Sequence, residues 1–161
     1  YITSPIIMRL LEGPLPIRSL TVMVQKEAAV RITAAPGTRE CGAISAAVWY
    51  YSTPKLLFPV SRGSFLPAPA VDSAVIRLDL PRELPEDLPP REDFFAVVRA
   101  GFGQRRKTML NSLSAGLRWE KDATRALLTA AGIAENARAE QVTLEQWKAL
   151  TRAYFSMKKS R

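Results

Sequence analysis

Two short stretches carry side chains that could do chemistry, "GSFLPAPAVDS" at 63–73 and "FGQRRKTMLNSL" at 102–113. In the first, Pro67 and Pro69 fix their own backbone angles and restrain the residues before them, so we expect a stiff loop. Phe65 precedes these prolines, and an aromatic ring held on a stiff loop can stack on a nucleobase. The alternative is that Phe65 packs into the core beneath the loop.

The second stretch places three cations, Arg105, Arg106 and Lys107, at the predicted first turn of a helix over 107–117. The helix dipole disfavours positive charge at that end. A phosphate bound there would meet backbone amides and guanidinium groups together, which would compensate for the unfavourable placement. The alternative is a solvated basic face that keeps the protein soluble.

The composition narrows the chemistry further. The 161 residues carry 23 Lys and Arg against 15 Asp and Glu, a net charge of +8. This charge favours a polyanionic partner, because contacts to phosphates release counterions, although an anionic membrane surface would attract it too. The absence of histidine excludes imidazole catalysis and histidine-ligated metal within the chain, and we expect no metal. A single cysteine, Cys41, fits a reducing, cytoplasmic compartment, and no apolar run approaches the roughly 20 residues that span a bilayer.

Residues 1–80 are predicted to form the later part of an α/β sheet. Helices are expected over "SPIIMRLLE", which Ser4 and Pro5 would begin, "KEAAVRI" and "CGAISAAVWYY". Strands are expected over "LTVMVQ", "KLLFPV" and "SAVIRLDL". The first strand is a continuous apolar run, typical of burial on both faces, and the third alternates, as a half-buried strand near a sheet edge does. Lys26 and Glu27 follow the first strand, where open α/β sheets place ligands; a solvated helix cap is the alternative.

Residues 81–93, "PRELPEDLPPRED", are predicted to be a proline-rich linker. Beyond it, residues 94–161 are predicted to form a small all-helical domain, because apolar residues recur at helical spacing over 94–100, 107–117, 123–131 and 144–155. The expected buried stripe of the second helix is Met109, Leu110, Leu113 and Leu117, and another face carries Arg105, Thr108 and Ser112. Thr143 and Gln146 have the spacing of a capping box.

Six stretches occur in a familiar order along the chain: "YITSPIIMRLLE", "VQKEAAVRI", "PGTRECGAISAAVWYY", "FLPAPAVDSAVIRL", "VVRAGFGQRRKTMLNSL" and "RAEQVTLEQW". Together they resemble the adenine dimethyltransferases of small-subunit ribosomal RNA, the KsgA/RsmA family. The resemblance implies the C-terminal part of a Rossmann-like class I methyltransferase sheet, followed by a helical domain. It also implies methyl transfer from S-adenosylmethionine to N6 of two adjacent adenosines near the RNA 3′ end, with small-subunit ribosomal RNA and the immature small ribosomal subunit as partners.

The same resemblance implies roles for individual residues. Tyr1 would stand just after the family's catalytic Asn-Leu-Pro-Tyr motif, and the loop that holds S-adenosylmethionine would precede the chain. We therefore expect the cofactor site to lie largely outside these residues and the chain alone to be inactive. Phe65 matches the aromatic residue of the family's F-x-P-x-P-x-V-x-S loop, which implies stacking on a flipped-out target adenine. Ala70 stands where lysine is common in that loop.

The residues expected to contact RNA lie in both parts of the chain: Arg105, Arg106, Lys107, Gln104, Arg99, Lys26 and Arg62. The helical domain would dock RNA and the ribosomal particle. Two other functions remain open from the sequence. One is a non-catalytic RNA- or ribosome-binding module that uses only the basic helical part, and the other is a large-subunit ribosomal RNA adenine methyltransferase of the antibiotic-resistance type.

Overall fold

The computed structural model describes residues 2–161, so the prediction for Tyr1 lies outside the described residues. The chain divides into two compact units. The first unit comprises Tyr1–Ala34 and Ile44–Leu84, and the second unit comprises Ala35–Ala43 and Pro85–Arg161. The segment 35–43, which lies within the first part of the sequence, thus belongs to the second unit.

The first unit combines three helices with a three-stranded antiparallel sheet of order β1-β3-β2. Its elements are α1 (Thr3–Glu12), β1 (Ser19–Gln25), α2 (Lys26–Thr33), α3 (Ala43–Tyr51), β2 (Thr53–Val60) and β3 (Ser73–Asp79). A short 3₁₀ turn, Arg62–Ser64, follows β2. Helix α1 begins one residue before Ser4, whose side chain therefore does not cap it, and ends at Glu12, the last residue of the predicted range.

Two of the predictions for the sheet are wrong. Strand β1 is not buried on both faces, because the exposure of its side chains alternates: Val24 is buried, whereas Met23 is 50% exposed. Strand β3 lies between the other two strands and not near an edge. Its predicted alternation is confirmed, since Ala74, Ile76 and Leu78 are buried.

The second unit is a bundle of four helices, as the periodicity predicted: α4 (Arg91–Phe102), α5 (Met109–Leu117), α6 (Lys121–Ala130) and α7 (Leu144–Lys159). Helix α4 begins three residues before the predicted start at residue 94. Asp93 is therefore inside its first turn, where it is buried and accepts a hydrogen bond from Lys158. The core consists of fully buried side chains from all four helices, including Phe94, Met109, Leu113, Leu127, Leu128, Trp147 and Leu150.

Close packing fixes the helices of this bundle. The ring of Trp147 stacks on Phe102 with centroids 5.5 Å apart, and a Cβ atom at Gly101 would lie 2.5 Å from the Trp147 ring. The predicted capping box is confirmed: the Gln146 amide donates to Thr143 Oγ1 at 3.2 Å, and the Thr143 amide donates to Gln146 Oε1 at 3.0 Å. Such a cap satisfies backbone donors that the first turn of α7 would otherwise leave without partners.

Candidate functional site

The first candidate site lies where the strands of the first unit end. Both β1 and β2 run antiparallel to β3, so Gln25 and Val60 each pair with Ser73, at the start of β3. The loop over 61–72 joins β2 to β3 at this edge. Helix α2 begins at the same edge, because Lys26 follows β1 directly. The fold therefore brings the start of α2 and the proline-containing loop together.

Hydrogen bonds hold the two ends of this loop. The Arg62 amide donates to Asp72 Oδ1 at 2.8 Å across the loop, and the Lys26 amide donates to the Asp72 carbonyl at 3.0 Å. The Ser61 hydroxyl accepts from the Gly63 amide at 3.2 Å and so caps the 3₁₀ turn. These bonds fix the base of the loop without using the arginine or lysine head groups.

Phe65 follows the 3₁₀ turn with an extended backbone, and its amide donates to the Arg62 carbonyl at 3.3 Å. Phe65 is half-buried. The next residue, Leu66, is fully exposed. Phe65 is therefore held by its backbone and keeps part of its surface accessible, as a stacking role requires; the role itself stays a prediction.

Two of the predicted RNA contacts meet at a single cavity. Lys26 and Arg62 both line an open cavity of about 580 Å³ between α2 and the loop, together with Glu27, Val30, Ala70, Val71 and Asp72. The sequence alone did not place them together, because 36 residues separate them. They meet because each follows a strand that ends at the same edge of the sheet.

The second candidate site, in the helical unit, is a basic turn formed by Gln104, Arg105, Arg106 and Lys107. The prediction that its cations lie in the first turn of a helix is wrong, because α4 ends at Phe102 and α5 begins only at Met109. Thr108 is the N-cap of α5, and its Oγ1 accepts from the Asn111 amide at 3.4 Å. The cations of the basic turn thus precede the helix, and Arg99 is exposed in the last turn of α4.

The amides at the start of α5 are already occupied. The Met109 amide donates to the Ala137 carbonyl at 2.7 Å, and the Leu110 amide donates to the Glu135 carbonyl at 3.2 Å. A phosphate at the basic turn would therefore not meet free amides at the start of α5, which were the amides expected to assist the guanidinium groups; binding of a phosphate by the cations themselves stays a prediction. Sequence reasoning missed these bonds because their acceptors come from a loop about 25 residues further along the chain.

A buried serine anchors the basic turn. Ser112 is only 1% exposed, although it was predicted to share a face with Arg105, and its Oγ donates to the Gln104 carbonyl at 3.2 Å. Within residues 2–161, Arg105, Arg106 and Lys107 are exposed and form no ion pair with a carboxylate. The cations are therefore held on a fixed backbone and remain available to an anionic partner.

Two kinds of site are absent from the described residues. Across residues 2–161, no three His, Cys, Asp or Glu side chains lie close enough together to hold a metal ion. In the same range, no helix combines the length and the apolar character needed to cross a bilayer.

Comparisons with known proteins agree with one another. A family model described as "Ribosomal RNA adenine dimethylase" matches residues 1–155. The chain is 50% identical over 152 residues to "Ribosomal RNA small subunit methyltransferase A" of Alkaliphilus oremlandii, and 43% identical over 151 residues to the protein of the same name in Clostridioides difficile. These alignments cover 93% and 94% of this chain but 53% and 52% of the relatives. The chain thus spans about half the length of the curated relatives it matches.

Two solved structures share the fold. A dimethyladenosine transferase from Plasmodium falciparum superposes with a TM-score of 0.75 at 21% identity, over 96% of this chain and 63% of that one. The 23S rRNA methyltransferase ErmE superposes with a TM-score of 0.66 at 28% identity, over 94% of this chain and 60% of that one. The predicted fold class, a methyltransferase-type α/β sheet followed by a helical domain, is confirmed.

Proposed function

The chain belongs to the ribosomal RNA adenine dimethylase family, and from that premise we propose that it is part of an enzyme that methylates adenosine N6 in ribosomal RNA. The proposed substrate is a pair of adjacent adenosines near the 3′ end of small-subunit RNA, modified during assembly of the small ribosomal subunit in the cytoplasm. The names of the curated relatives support the small-subunit assignment. The observation on which the proposal depends is the half-buried Phe65, held on a braced loop at the edge of the sheet.

The chemistry of the acceptor explains why such a ring matters. The exocyclic amine of adenine is a poor nucleophile because its lone pair is delocalised into the ring, so accurate positioning contributes much of the rate. A base withdrawn from its stack needs a new partner for its face. Phe65 would supply that partner and hold the adenine in the orientation for reaction. The chain has no histidine, and this role needs no imidazole.

The cofactor proposed for this reaction is S-adenosylmethionine, which supplies the methyl group. The eight glycines of this chain are scattered, and they do not form the kind of glycine-rich loop that binds nucleotide-type cofactors. We therefore assign no cofactor-binding residue here and derive no step through the cofactor. We place its site, and the catalytic motif that Tyr1 would flank, in the part of the protein outside these residues.

We assign RNA docking to the helical part. We assign the first unit to the later part of the methyltransferase domain and the second unit to a docking domain; residues 91–93 of the predicted 81–93 linker already belong to α4. Unpaired exposed cations on an anchored turn are typical of contacts to a phosphate backbone, which position the RNA without reading its sequence. The proposed contacts in this part are Arg99, Gln104, Arg105, Arg106 and Lys107.

Substitution of the ring in the whole protein tests this function. We expect Phe65→Ala to lower the single-turnover rate of methyl transfer by about 5- to 150-fold, which corresponds to the roughly 1–3 kcal/mol of a lost stacking contact. Binding of the RNA, measured by fluorescence anisotropy, should change by less than about twofold, because many phosphate contacts remain. Phe65→Trp should retain most of the rate.

Leu66→Ala is the matched control, since Leu66 is the fully exposed neighbour on the same loop. It should leave both measurements at the wild-type value. Equal losses of rate and binding in Phe65→Ala would contradict the stacking role. A wild-type protein that binds the RNA and transfers no methyl group to it would support instead the non-catalytic binding module.

A second candidate substrate is large-subunit ribosomal RNA. The likeness to ErmE, at 28% identity and a TM-score of 0.66, favours keeping this candidate. A competition assay with equal amounts of a small-subunit 3′-end hairpin and a large-subunit RNA segment separates the two. We expect methyl groups on the small-subunit hairpin; preferential labelling of the large-subunit segment would reassign the substrate and keep the reaction.

A further inference from the structure

We propose that the cavity between α2 and the 61–72 loop seats the RNA nucleotide next to the target adenosine, with its base against an apolar wall and its phosphate between Lys26 and Arg62. This inference deepens the proposed function and rests on it. The cavity has a volume of about 580 Å³, within the range of sites that hold small organic groups.

The walls of the cavity combine the two surfaces that a nucleotide needs. Val30 and Val71 line the cavity and are 37% and 48% exposed, although valine is usually buried. Ala70 continues the apolar wall. A base has an apolar face that such a wall can cover regardless of its sequence, as in other sites for single-stranded RNA.

The cations at the rim have no carboxylate partner. Within the described residues 2–161, neither Lys26 nor Arg62 takes part in an ion pair. The two carboxylates that line the cavity make other contacts: Glu27 pairs with Arg31 at 3.6 Å, and Asp72 accepts from the Arg62 backbone amide at 2.8 Å. The Arg62 guanidinium and the Lys26 ammonium are therefore free to contact a phosphate, which arginine can bind through two parallel hydrogen bonds.

The chain path links this cavity to the proposed adenine position. The same loop supplies Arg62, Ala70 and Val71 to the cavity and carries Phe65 between them. An RNA strand that places one base on Phe65 must therefore pass along this loop. The nucleotide that enters the cavity is a neighbour in the strand and not the methylated base itself.

Paired changes in protein and RNA test the contact directly. We would measure equilibrium binding of the whole protein to a series of substrate hairpins, each with a single uncharged methylphosphonate in place of one loop phosphate. In the wild-type protein, one position beside the target adenosine should weaken binding by about tenfold, as expected for lost charge-assisted bonds. In Lys26→Ala/Arg62→Ala, binding of the unmodified hairpin should weaken to a similar extent, and the methylphosphonate at that position should have no further effect.

Two variants control for charge and folding. Arg18→Ala/Lys55→Ala removes the same net charge from the first unit; Arg18 precedes β1 at the opposite end from Lys26, and Lys55 lies near the start of β2. This variant should keep the methylphosphonate profile of the wild type. Ala70→Lys, added to Lys26→Ala/Arg62→Ala, returns a cation to the same cavity wall and should restore at least half of the lost affinity on a logarithmic scale.

The results separate the two proposals. Additive losses from the protein and RNA changes at every position, or no rescue by Ala70→Lys, would overturn the nucleotide seat even if the protein methylates RNA normally. Coupling at one position in a protein that methylates no adenosine would support the seat and overturn the proposed function.

Discussion

The two units of this chain differ in how many large hydrophobic side chains they leave exposed. Within residues 2–161, every large hydrophobic side chain that is strongly exposed belongs to the first unit: Ile2, Ile6, Leu15, Met23, Val30, Leu56, Leu57, Phe58, Leu66, Val71 and Leu84. Large apolar side chains of the second unit are buried in its core, as Phe94 and Trp147 are, or half-buried. The helical unit is therefore stabilised by its own packing, whereas the α/β unit keeps apolar groups at its surface. These include Val30 and Val71, which line the proposed nucleotide seat.

The two units also differ in which of their functional groups remain accessible to a partner. In the second unit, the Met109 and Leu110 amides are already bonded to a loop and buried Asp93 is bonded to Lys158, so a partner at the basic turn would meet cationic side chains and not these groups. In the first unit, the backbone holds the 61–72 loop while Phe65, Lys26 and Arg62 remain accessible. We infer that the first unit positions the reacting base and that the second unit contributes affinity.

The largest expected effect tests the tight packing of the second unit. Gly101→Ala would place a Cβ atom 2.5 Å from the fully buried ring of Trp147. Overpacking of this kind destabilises the folded state by up to about 3 kcal/mol, and the higher helix propensity of alanine offsets about 1 kcal/mol of this loss. We therefore expect the free energy of unfolding to fall by about 2 kcal/mol. Denaturant unfolding followed by the fluorescence of the tryptophans measures this change.

Gly63→Ala is the matched change in the exposed loop, where the nearest heavy atom to a new Cβ is Ser61 Oγ at 3.5 Å. It should alter the free energy of unfolding by less than about 0.5 kcal/mol. Similar losses from both substitutions would mean that the two units do not differ in packing as described.

The next prediction tests whether the basic turn contributes to RNA affinity and not to positioning of the reacting base. Neutralising Arg105, Arg106 and Lys107 together with alanine should lower the slope of log affinity against log salt by about 2, the value for three lost phosphate contacts on single-stranded RNA. The rate of methyl transfer at saturating RNA should stay within about twofold, because these cations would add only to uniform binding.

Arg18→Ala/Arg39→Ala/Lys121→Ala removes the same charge from exposed positions that form no ion pair among the described residues. This control should leave most of the salt dependence in place. An unchanged slope in the variant of the basic turn would show that the turn does not dock RNA, and a large loss of saturated rate would give the second unit a positioning role.

The smallest effect concerns the ion pair that ties the end of α7 to α4. The hydrogen bond to Asp93 raises the pKa of Lys158 above its usual value. A group whose pKa is raised in the folded state adds stability below its unfolded pKa, about 10.4 for lysine, and loses that contribution as the pH rises through the folded value. The unfolding midpoint of the wild type should therefore exceed that of Lys158→Met by a constant small amount from pH 7 to 9.

That difference should shrink as the pH rises through the raised pKa of Lys158 and disappear once the lysine of the folded wild type is also neutral. Lys148→Met provides the comparison, because Lys148 pairs only with the exposed Glu145 at 3.4 Å. A midpoint difference for Lys158→Met that persists at high pH would attribute the effect to packing and not to charge.

Much of this architecture could be predicted from local patterns. The four helices of the second unit, the capping box at Thr143 and the alternation of β3 follow from periodicity and from the chemistry of helix ends, which depend on residues a few positions apart. The prolines beside Phe65 predicted a stiff loop but left open whether Phe65 packs into the core, and in the structure this residue is half-buried. Order along the chain also indicated the family, because the matching stretches extend over nearly its full length.

The errors arose where residues far apart in the chain decide the outcome. An apolar run such as that of β1 indicates a strand but not whether a neighbour covers its second face, and the central place of β3 depends on which strands pair with it. Serine is usually exposed, yet Ser112 is buried, and its hydroxyl donates a hydrogen bond to the Gln104 carbonyl eight positions earlier in the chain. The cavity shared by Lys26 and Arg62 likewise depends on the register of three strands.

The most direct test of the account is the environment of the target base itself. A substrate hairpin with the fluorescent adenine analogue 2-aminopurine at the target position reports the stacking of that base, which we expect to be on Phe65 in the wild-type protein. Binding to Phe65→Ala should give several-fold stronger emission, and binding to Leu66→Ala should match the wild type. Equal emission from the wild type and Phe65→Ala at saturation would contradict the claim that this ring receives the adenine.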